Sequence, residues 1–277
     1  MAYATRIDSA KKIRLSDYDA NADGGLSKEE GVQKFEKLDA KLDVIQEELF
    51  AAGIHSVLTI FQGMDTSGKD GAIRTVFQSC NPQGMQVSSF KVPTQEDLAH
   101  DFLWRIHKQT PGKGTIGVFN RSHYEDVLVV RVHDLVPKQV WEKRYDHINN
   151  FEQLLADSNT IILKFFLHIS SDEQEQRLLD REKDVEKAWK LSAGDWKERE
   201  YWDAYQNAYE DVLSKCSARH APWYIVPANR KWFRNLAVAE ALVDTLSDYR
   251  KQWNATLGAM SEERLKELKA YREGQAS

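Results

Sequence analysis

Apolar residues recur along this chain at two different periods. Between Ser27 and Gly53 the positions Val32, Phe35, Leu38, Leu42, Ile45 and Leu49 fall three or four residues apart, the spacing of a one-faced helix that stops at Gly53. Five short β-rich runs follow: "SVLTIFQ" (56–62), "VSSFKV" (87–92), "TIGVF" (115–119), "TIILKFFLHI" (160–169) and "WYIVPA" (223–228). Between them lie the helical patterns "TQEDLAHDFLWRIHKQ" (94–109), "PKQVWEKRYDHINNFEQLLADS" (137–158) and "REYWDAYQNAYEDVLSKC" (199–216). Five apolar strands alternating with helices predict an α/β fold, a mostly parallel sheet covered on both faces. The charged stretch 177–200, with "SAGD" at 192–195, reads as a helical insertion.

The first strand runs into "FQGMDTSGKDG", which has the G-x-x-x-x-G-K spacing of a phosphate-binding loop and is followed by helical character in "GAIRTVFQSC". Gly63 and Gly68 let backbone N–H groups approach phosphate oxygens, Lys69 supplies a point charge, and the helix adds its positive end. A plain glycine turn is the alternative reading. The residue after Lys69 is Asp70, where Ser or Thr ordinarily places a hydroxyl on Mg²⁺, and the strand at 115–119 closes on Asn120 where an Asp is usual. Both usual metal positions are altered. Asp65 is the nearest replacement: a carboxylate beside cradled phosphates suits a bridging Mg²⁺, with Asn120 or the acids after it contributing through water.

Composition narrows the setting. The chain has 277 residues, 42% hydrophobic and 29% charged, enough apolar material for a sizeable core, and 1–277 is expected to form a single domain. A net charge of −5 argues against a nucleic-acid coat, so a bound polyanion must meet a local basic channel. The N-terminus has no apolar core of a signal, and the longest apolar stretch is broken by Lys164, so neither export nor a membrane span is expected. Cys80 and Cys216 are far apart and form no metal or redox motif, which fits a reducing cytoplasm.

Four blocks, "GMDTSGKDG" (63–71), "NPQGMQVSSFKVPTQEDLAHDFLWR" (81–105), "GVFNRSHYEDVLVVRVH" (117–133) and "APWYIVPANRKWFRN" (221–235), closely resemble the polyphosphate kinase 2 family, and the resemblance spans about Leu15 to Leu246. It implies a P-loop kinase-like three-layer sandwich with a five-stranded sheet and a helical lid at 177–200, an N-terminal extension and helix at 1–54, and a C-terminal helical tail at 255–277. It implies phosphoryl transfer between inorganic polyphosphate and adenine nucleotides (AMP, ADP, ATP), reversible and Mg²⁺-dependent, in a homo-oligomer. By the same resemblance Lys69 and Arg121 bind the transferring phosphates within the loop formed by Gly63, Thr66, Ser67, Gly68 and Asp70. Asp65 organises Mg²⁺, and Arg177 and Arg181 of the lid close over polyphosphate. "FNRSHYED" resembles the branch accepting both AMP and ADP, with Asn120 and Glu125 as the acceptor-side marks; Glu125 also reads as an ordinary acid in a helix's first turn.

The residues themselves agree with this chemistry. A nucleotide's terminal phosphate, with a second pKa of about 6, is already a largely ionised nucleophile near neutrality. The site must therefore supply positioning and charge neutralisation rather than a strong base. Arg121 and Arg131 are both candidates to face the crevice, Arg131 reading equally as a helix-surface ion pair. The lid stretch holds seven basic and seven acidic residues, so composition makes it no basic patch, and a salt-bridged solvated helix stays open. A conventional kinase with ATP as donor is the alternative enzyme. A third reading is a Ca²⁺- or nucleotide-responsive binding protein, because Asp19, Asn21, Asp23, Gly24 and Glu30 fit a calcium-loop pattern. The same residues also read as an Asn/Asp/Gly turn followed by a Ser27–Glu30 capping box. The tryptophans at 189, 196, 202, 223 and 232 are candidates to stack adenine or to fill the core, and His123 reads as structural.

Overall fold

The computed structural model describes residues 2–183 and 193–275; part of the lid stretch, with Lys187, Trp189 and Lys190, lies outside them. The strands are β1 (Thr5–Ile7), β2 (Ser56–Gln62), β3 (Met85–Ser89), β4 (Ile116–Asn120), β5 (Thr160–His168) and β6 (Trp223–Pro227). They form one sheet in the order β1-β6-β5-β2-β4-β3, in which every pairing is parallel except β1 with β6. The sheet thus has six strands and not five. The extra strand is three residues of the N-terminal segment, of which only Ile7 is buried, too short and too exposed for periodicity to reveal.

β2 and β5 are buried along their whole length, as a parallel strand covered on both faces must be. Each fully buried Val, Leu, Ile or Phe in them contributes about 1.5–3 kcal/mol relative to exposure. Helix α1 (Lys28–Ala52) forms as its pattern predicts. Ser27 and Glu30 close a capping box, Phe35, Leu42, Ile45 and Leu49 are buried, and Gly53 ends the helix at φ +62°. α1 packs on α10 (Lys231–Ser247) and α11 (Arg250–Gln275), and α2 (Lys69–Val76) packs on α10, forming one layer. The other layer contains α5 (Val129–Val132), α6 (Lys138–Asp157) and α9 (Trp202–Lys215). The pattern at 94–109 does not make a continuous helix. It folds as two single turns, α3 (Gln95–Leu98) and α4 (Trp104–His107), because Leu98, on the apolar face of the pattern, is 65% exposed and finds no interior to join. The run at 87–92 is shifted, its pairing ending at Ser89 and Val92 lying 89% exposed. The charged stretch supplies α7 (Ser171–Lys183) and α8 (Ala193–Arg199). Among the described residues no helix is long and apolar enough to cross a membrane.

Inside the sheet, successive β5 side chains face opposite layers. Phe165 lies against Phe61 and Tyr224, whereas Lys164, fully buried, turns toward α6. Its Nζ donates to Glu152, to the Tyr124 hydroxyl at 3.0 Å and to the Cys216 carbonyl at 2.7 Å. Glu152 also accepts from Tyr124 at 2.8 Å and meets His123 at 3.3 Å. The Lys that interrupts the apolar run is therefore a buried ion pair. Removing one member leaves the other charged in a dry interior, so Lys164→Met is expected to cost about 3–5 kcal/mol in urea unfolding, and Lys164→Met with Glu152→Gln much less. A single-variant loss below about 1 kcal/mol would show that the pair carries no such weight.

Candidate active site

From β2 the chain builds β3 and β4 on one side, then β5 and β6 on the other, so the C-terminal end of β2 is the point where strand order reverses. Gly63 begins the loop there. It has φ +151°, and a Cβ on it would stand 2.8 Å from the Leu167 carbonyl, so the close approach to β5 requires glycine. Gly68, at φ +92°, is the N-cap of α2 and directs that helix's first amides into the loop. Thr66 takes φ +62° without being glycine, and its hydroxyl and that of Ser67 are buried with no hydrogen-bond partner. Such strain and unsatisfied groups are typical of a loop shaped for a ligand rather than for stability.

Lys69 is buried and its Nζ donates to the carbonyls of Gly63 at 2.9 Å and Met64 at 3.2 Å. Burial, and after it the charge of Arg121, pulls its pKa from 10.5 down to about 8, against the opposing carboxylates of Asp65, Glu125 and Asp70. Arg121 leaves β4 at φ +62° and donates to Asp65 Oδ1 at 2.7 Å, with Glu125 Oε2 3.5 Å away. Burial works against this guanidinium's charge, but Glu125 and Asp65 more than offset it and hold its pKa above the ordinary value. Asn120, paired in register with Phe61, donates to Asp70 Oδ1 at 2.7 Å. Asp65, Lys69, Asp70, Asn120, Arg121 and Glu125 are therefore brought together, from the loop after β2, the first turn of α2, the end of β4 and the turn that follows it. A recess of about 30 Å³ opens between Gly63, Asp65, Arg121, Glu125, Tyr205 and Tyr209. That is room for one water or a small ion in this conformation.

Three anticipated phosphate ligands are placed otherwise. Arg131 donates to Tyr145 at 3.0 Å and Asp211 at 2.7 Å and lies over the Trp141 ring, the ion-pair alternative. Arg177 commits its whole guanidinium to the protein: Nε to Glu173, Nη1 to the Thr66 and Ser67 carbonyls, Nη2 to those of Ala228 and Asn229. It clamps the phosphate loop to the end of β6. Arg181 pairs with Asp195 of α8 at 2.7 Å. His123 and Trp223 belong to the buried network and core, and Trp202 borders a cavity of about 1150 Å³. Among the described residues that cavity is walled by Asp17, Asp19, Asp172, Glu173 and Glu210 with no Lys or Arg, a wall that disfavours a polyanion.

Pattern reading also missed residues that shape the site. The Tyr209 hydroxyl accepts from the Gly63 amide at 3.2 Å, and Gln174 Nε2 holds the Asp65 carbonyl at 3.1 Å. Arg234, in the first turn of α10, stands so close over Gly68 that a Cβ there would collide with its Nη1. Only the block "NRKWFRN" gave a signal, and it marked a stretch rather than this residue.

A strained glycine loop with a buried lysine, set at the switch point of a parallel sheet beside an acid and an arginine, defines a P-loop kinase-type phosphotransferase. The family model of polyphosphate kinase 2 matches residues 25–254. An AMP/ADP-polyphosphate phosphotransferase of Meiothermus ruber is 49% identical over 251 residues, covering 91% of this chain and 94% of that protein. An ADP-polyphosphate phosphotransferase of Rhodopseudomonas palustris is 43% identical over 273 residues, covering 94% of each. The crystal structure of polyphosphate kinase 2 from Arthrobacter aurescens TC1 superposes with a TM-score of 0.84 at 44% identity, over 87% of this chain and 88% of that one. The chain belongs to the polyphosphate kinase 2 family.

The calcium-loop pattern has a different fate. Asp19 Oδ1 accepts from the Asn21 amide at 2.8 Å and Asp23 Oδ1 from the Gly25 amide at 2.9 Å, both turn contacts. Glu30 accepts from the Ser27 amide at 2.8 Å in the capping box. The guanidinium of Arg230 reaches across the loop to Asn21 Oδ1 and Asp23 Oδ2, standing where a cation would have to enter. Before the loop there is a single 3₁₀ turn, Leu15–Asp17, in place of an entering helix. Calorimetric titration with micromolar Ca²⁺ is expected to give no binding heat; micromolar affinity abolished by Glu30→Gln would overturn the turn-and-cap assignment.

Proposed function

We propose that this protein transfers a phosphoryl group from inorganic polyphosphate to AMP and ADP, reversibly and with Mg²⁺, in the cytoplasm. The observation that carries the reading is the juxtaposition of Lys69, Arg121 and Asp65 at a phosphate loop in a chain of this family. Two relatives of more than two-fifths identity are named for polyphosphate transfer to nucleotides, and the unpaired Cys80 and Cys216 suit a reducing compartment.

The chemistry follows from charge. The acceptor's terminal phosphate attacks the end of the polyphosphate chain in line, and the P–O bond to the remaining chain breaks, so the leaving group is a shorter polyphosphate. The loop amides and the α2 N-terminus hold the transferred phosphate. Lys69 swings from the Gly63 and Met64 carbonyls onto its oxygens, a move that exchanges two neutral acceptors for an anion. Arg121 neutralises the charge spread over the equatorial oxygens. Mg²⁺ is ordinarily held by one or two carboxylates together with substrate phosphates and water, and Asp65 fits as that carboxylate, with Asn120 and Asp70 at its side. When bound, the metal would screen repulsion between the two phosphate groups. Glu125, against Arg121, stands on the acceptor side and tempers the arginine's pull on an incoming nucleotide.

Luminescent detection of ATP from Mg²⁺, polyphosphate and either ADP or AMP is expected to give signal with both acceptors and none with EDTA. Asp65→Asn and Lys69→Ala are each expected to lower turnover about a hundredfold or more with an unchanged fold by circular dichroism. Near-normal rates in either variant would remove the assigned role.

A second expectation concerns pH. Lys69 binds phosphate as its ammonium form, which in the unliganded site is complete below its pKa of about 8 and is lost above it. Affinity for inorganic triphosphate, by calorimetry, is therefore expected to fall about tenfold between about pH 7 and pH 9, half of the ammonium form being lost near pH 8. Affinity independent of pH across that range would show that Lys69 is not the binding cation.

A further inference from the structure

Arg234 is 3% exposed, and among the described residues no carboxylate pairs with it. Its Nε and Nη2 both donate to the neutral Asn235 Oδ1, at 3.0 and 2.7 Å, and its Nη1 makes no hydrogen bond to any of the described residues. The charge acting on it is another cation's. Burial first, and then Arg177, lowers its pKa from 12.5 to about 10. Its place in the chain adds to the cost. It lies in the first turn of α10, whose opening residues include Arg230 and Lys231 and no acid, so its charge opposes the helix dipole. It also overhangs the N-terminus of α2, with Nη2 3.5 Å from where a Cβ on Gly71 would sit.

A buried guanidinium facing a second guanidinium and two helix N-termini is destabilising on every electrostatic count. The fold does not need it, since a Leu or Met would fill the same volume without charge. The contrast with Arg177 is direct. That arginine spends every donor on Glu173 and four loop carbonyls, whereas Arg234 keeps Nη1 unused at the edge of the phosphate loop. Gly68 maintains the opening: its missing Cβ is the space in which Nη1 stands.

We propose that Arg234 is a binding residue for the polyphosphate donor, gripping a non-transferred phosphate of the chain between the N-termini of α2 and α10. This rests on the polyphosphate reading above and deepens it by assigning where the donor chain continues beyond Lys69. The described wall of the cavity near Asp17 and Glu210 is acidic and disfavours the chain on that side, and the Arg234 seat offers the Nη1 donor and two helix ends to anionic groups. Arg234 takes no part in bond making; its grip is the same before and after transfer. Its loss should therefore appear in the donor's KM rather than in kcat or the nucleotide's KM.

The test uses wild type, Arg234→Gln and Arg234→Lys, with thermal unfolding alone and with added polyphosphate alongside steady-state ATP formation from ADP. Arg234→Gln is expected to raise the KM for polyphosphate about tenfold or more with the KM for ADP unchanged. Its ligand-free Tm should equal or exceed that of wild type, and the rise in Tm caused by polyphosphate should shrink. Arg234→Lys, which keeps the charge, should recover part of the affinity. A lowered ligand-free Tm with an unchanged polyphosphate KM would make Arg234 structural and overturn the inference while leaving the proposed function standing. Wild type that polyphosphate neither stabilises nor supplies with phosphoryl groups would overturn both.

Discussion

The Lys164–Glu152 pair is the constraint from which the site is built. Both groups are buried, so each could enter the interior only with every charge met, and they are met by each other, by Tyr124, by His123 and by the Cys216 carbonyl. These partners come from β5, α6, the turn after β4 and the end of α9. The network therefore fixes the turn His123–Val127 against the sheet. Arg121 and Glu125 flank the anchored Tyr124, and Ser122 Oγ is held by Gln62 of β2 at 3.2 Å. With both sides of Arg121 pinned, its φ of +62°, which costs of order 1 kcal/mol or more for a side chain with a Cβ, is imposed by its surroundings. The guanidinium is delivered to Asp65 by a charge buried one strand away.

Cations in this molecule divide by what neutralises them. Lys164, Arg144 with Asp126, and Arg131 with Asp211 each have an acid at short distance, and these are joints of the fold. Arg177 has an acid and four carbonyls and serves as a clamp. Lys69 and Arg234 rest only on neutral oxygens. Both are buried, and both have pKa values lowered by burial first and a neighbouring arginine second. Deficits of this kind are tolerated where an anion completes the site, and both stand at the phosphate loop.

Local patterns were legible in sequence because their causes are local. The glycine loop, the strand before it and the capped α1 each depend on residues within a few positions, and the structure has all three. The edge strand β1 was not legible, since its pairing partner β6 lies more than two hundred residues away and only Ile7 of its three residues is buried. The break between α3 and α4 was hidden for the converse reason: helical spacing is present, but no surface exists for Leu98 to pack against. Among the site residues, Lys69, Asp65 and Arg121 could be read from a motif, whereas the fates of Arg131 and Arg177 hinged on Asp211 and Asn229, 80 and 52 positions away. Arg234 stood within a recognisable block, yet its distinguishing property, that no acid among the described residues pairs with it, is one no string of letters records.

Unneutralised charge also ties stability to occupancy. The phosphate loop holds a strained Thr66, two hydroxyls that find no partner among the described residues, and a buried Lys69 hydrogen-bonded only to carbonyls, so it is the part of the fold that folding energy favours least. A polyanion that enters meets groups already desolvated and already oriented, so little of its binding energy is spent on reorganisation. An anion that bound the folded chain here and relieved its internal repulsion would link binding to folding by mass action. The acids of the site sit to one side: Asp65 and Glu125 are engaged with Arg121 and Asp70 with Asn120, and the Gly68 and Arg234 side carries the positive charge.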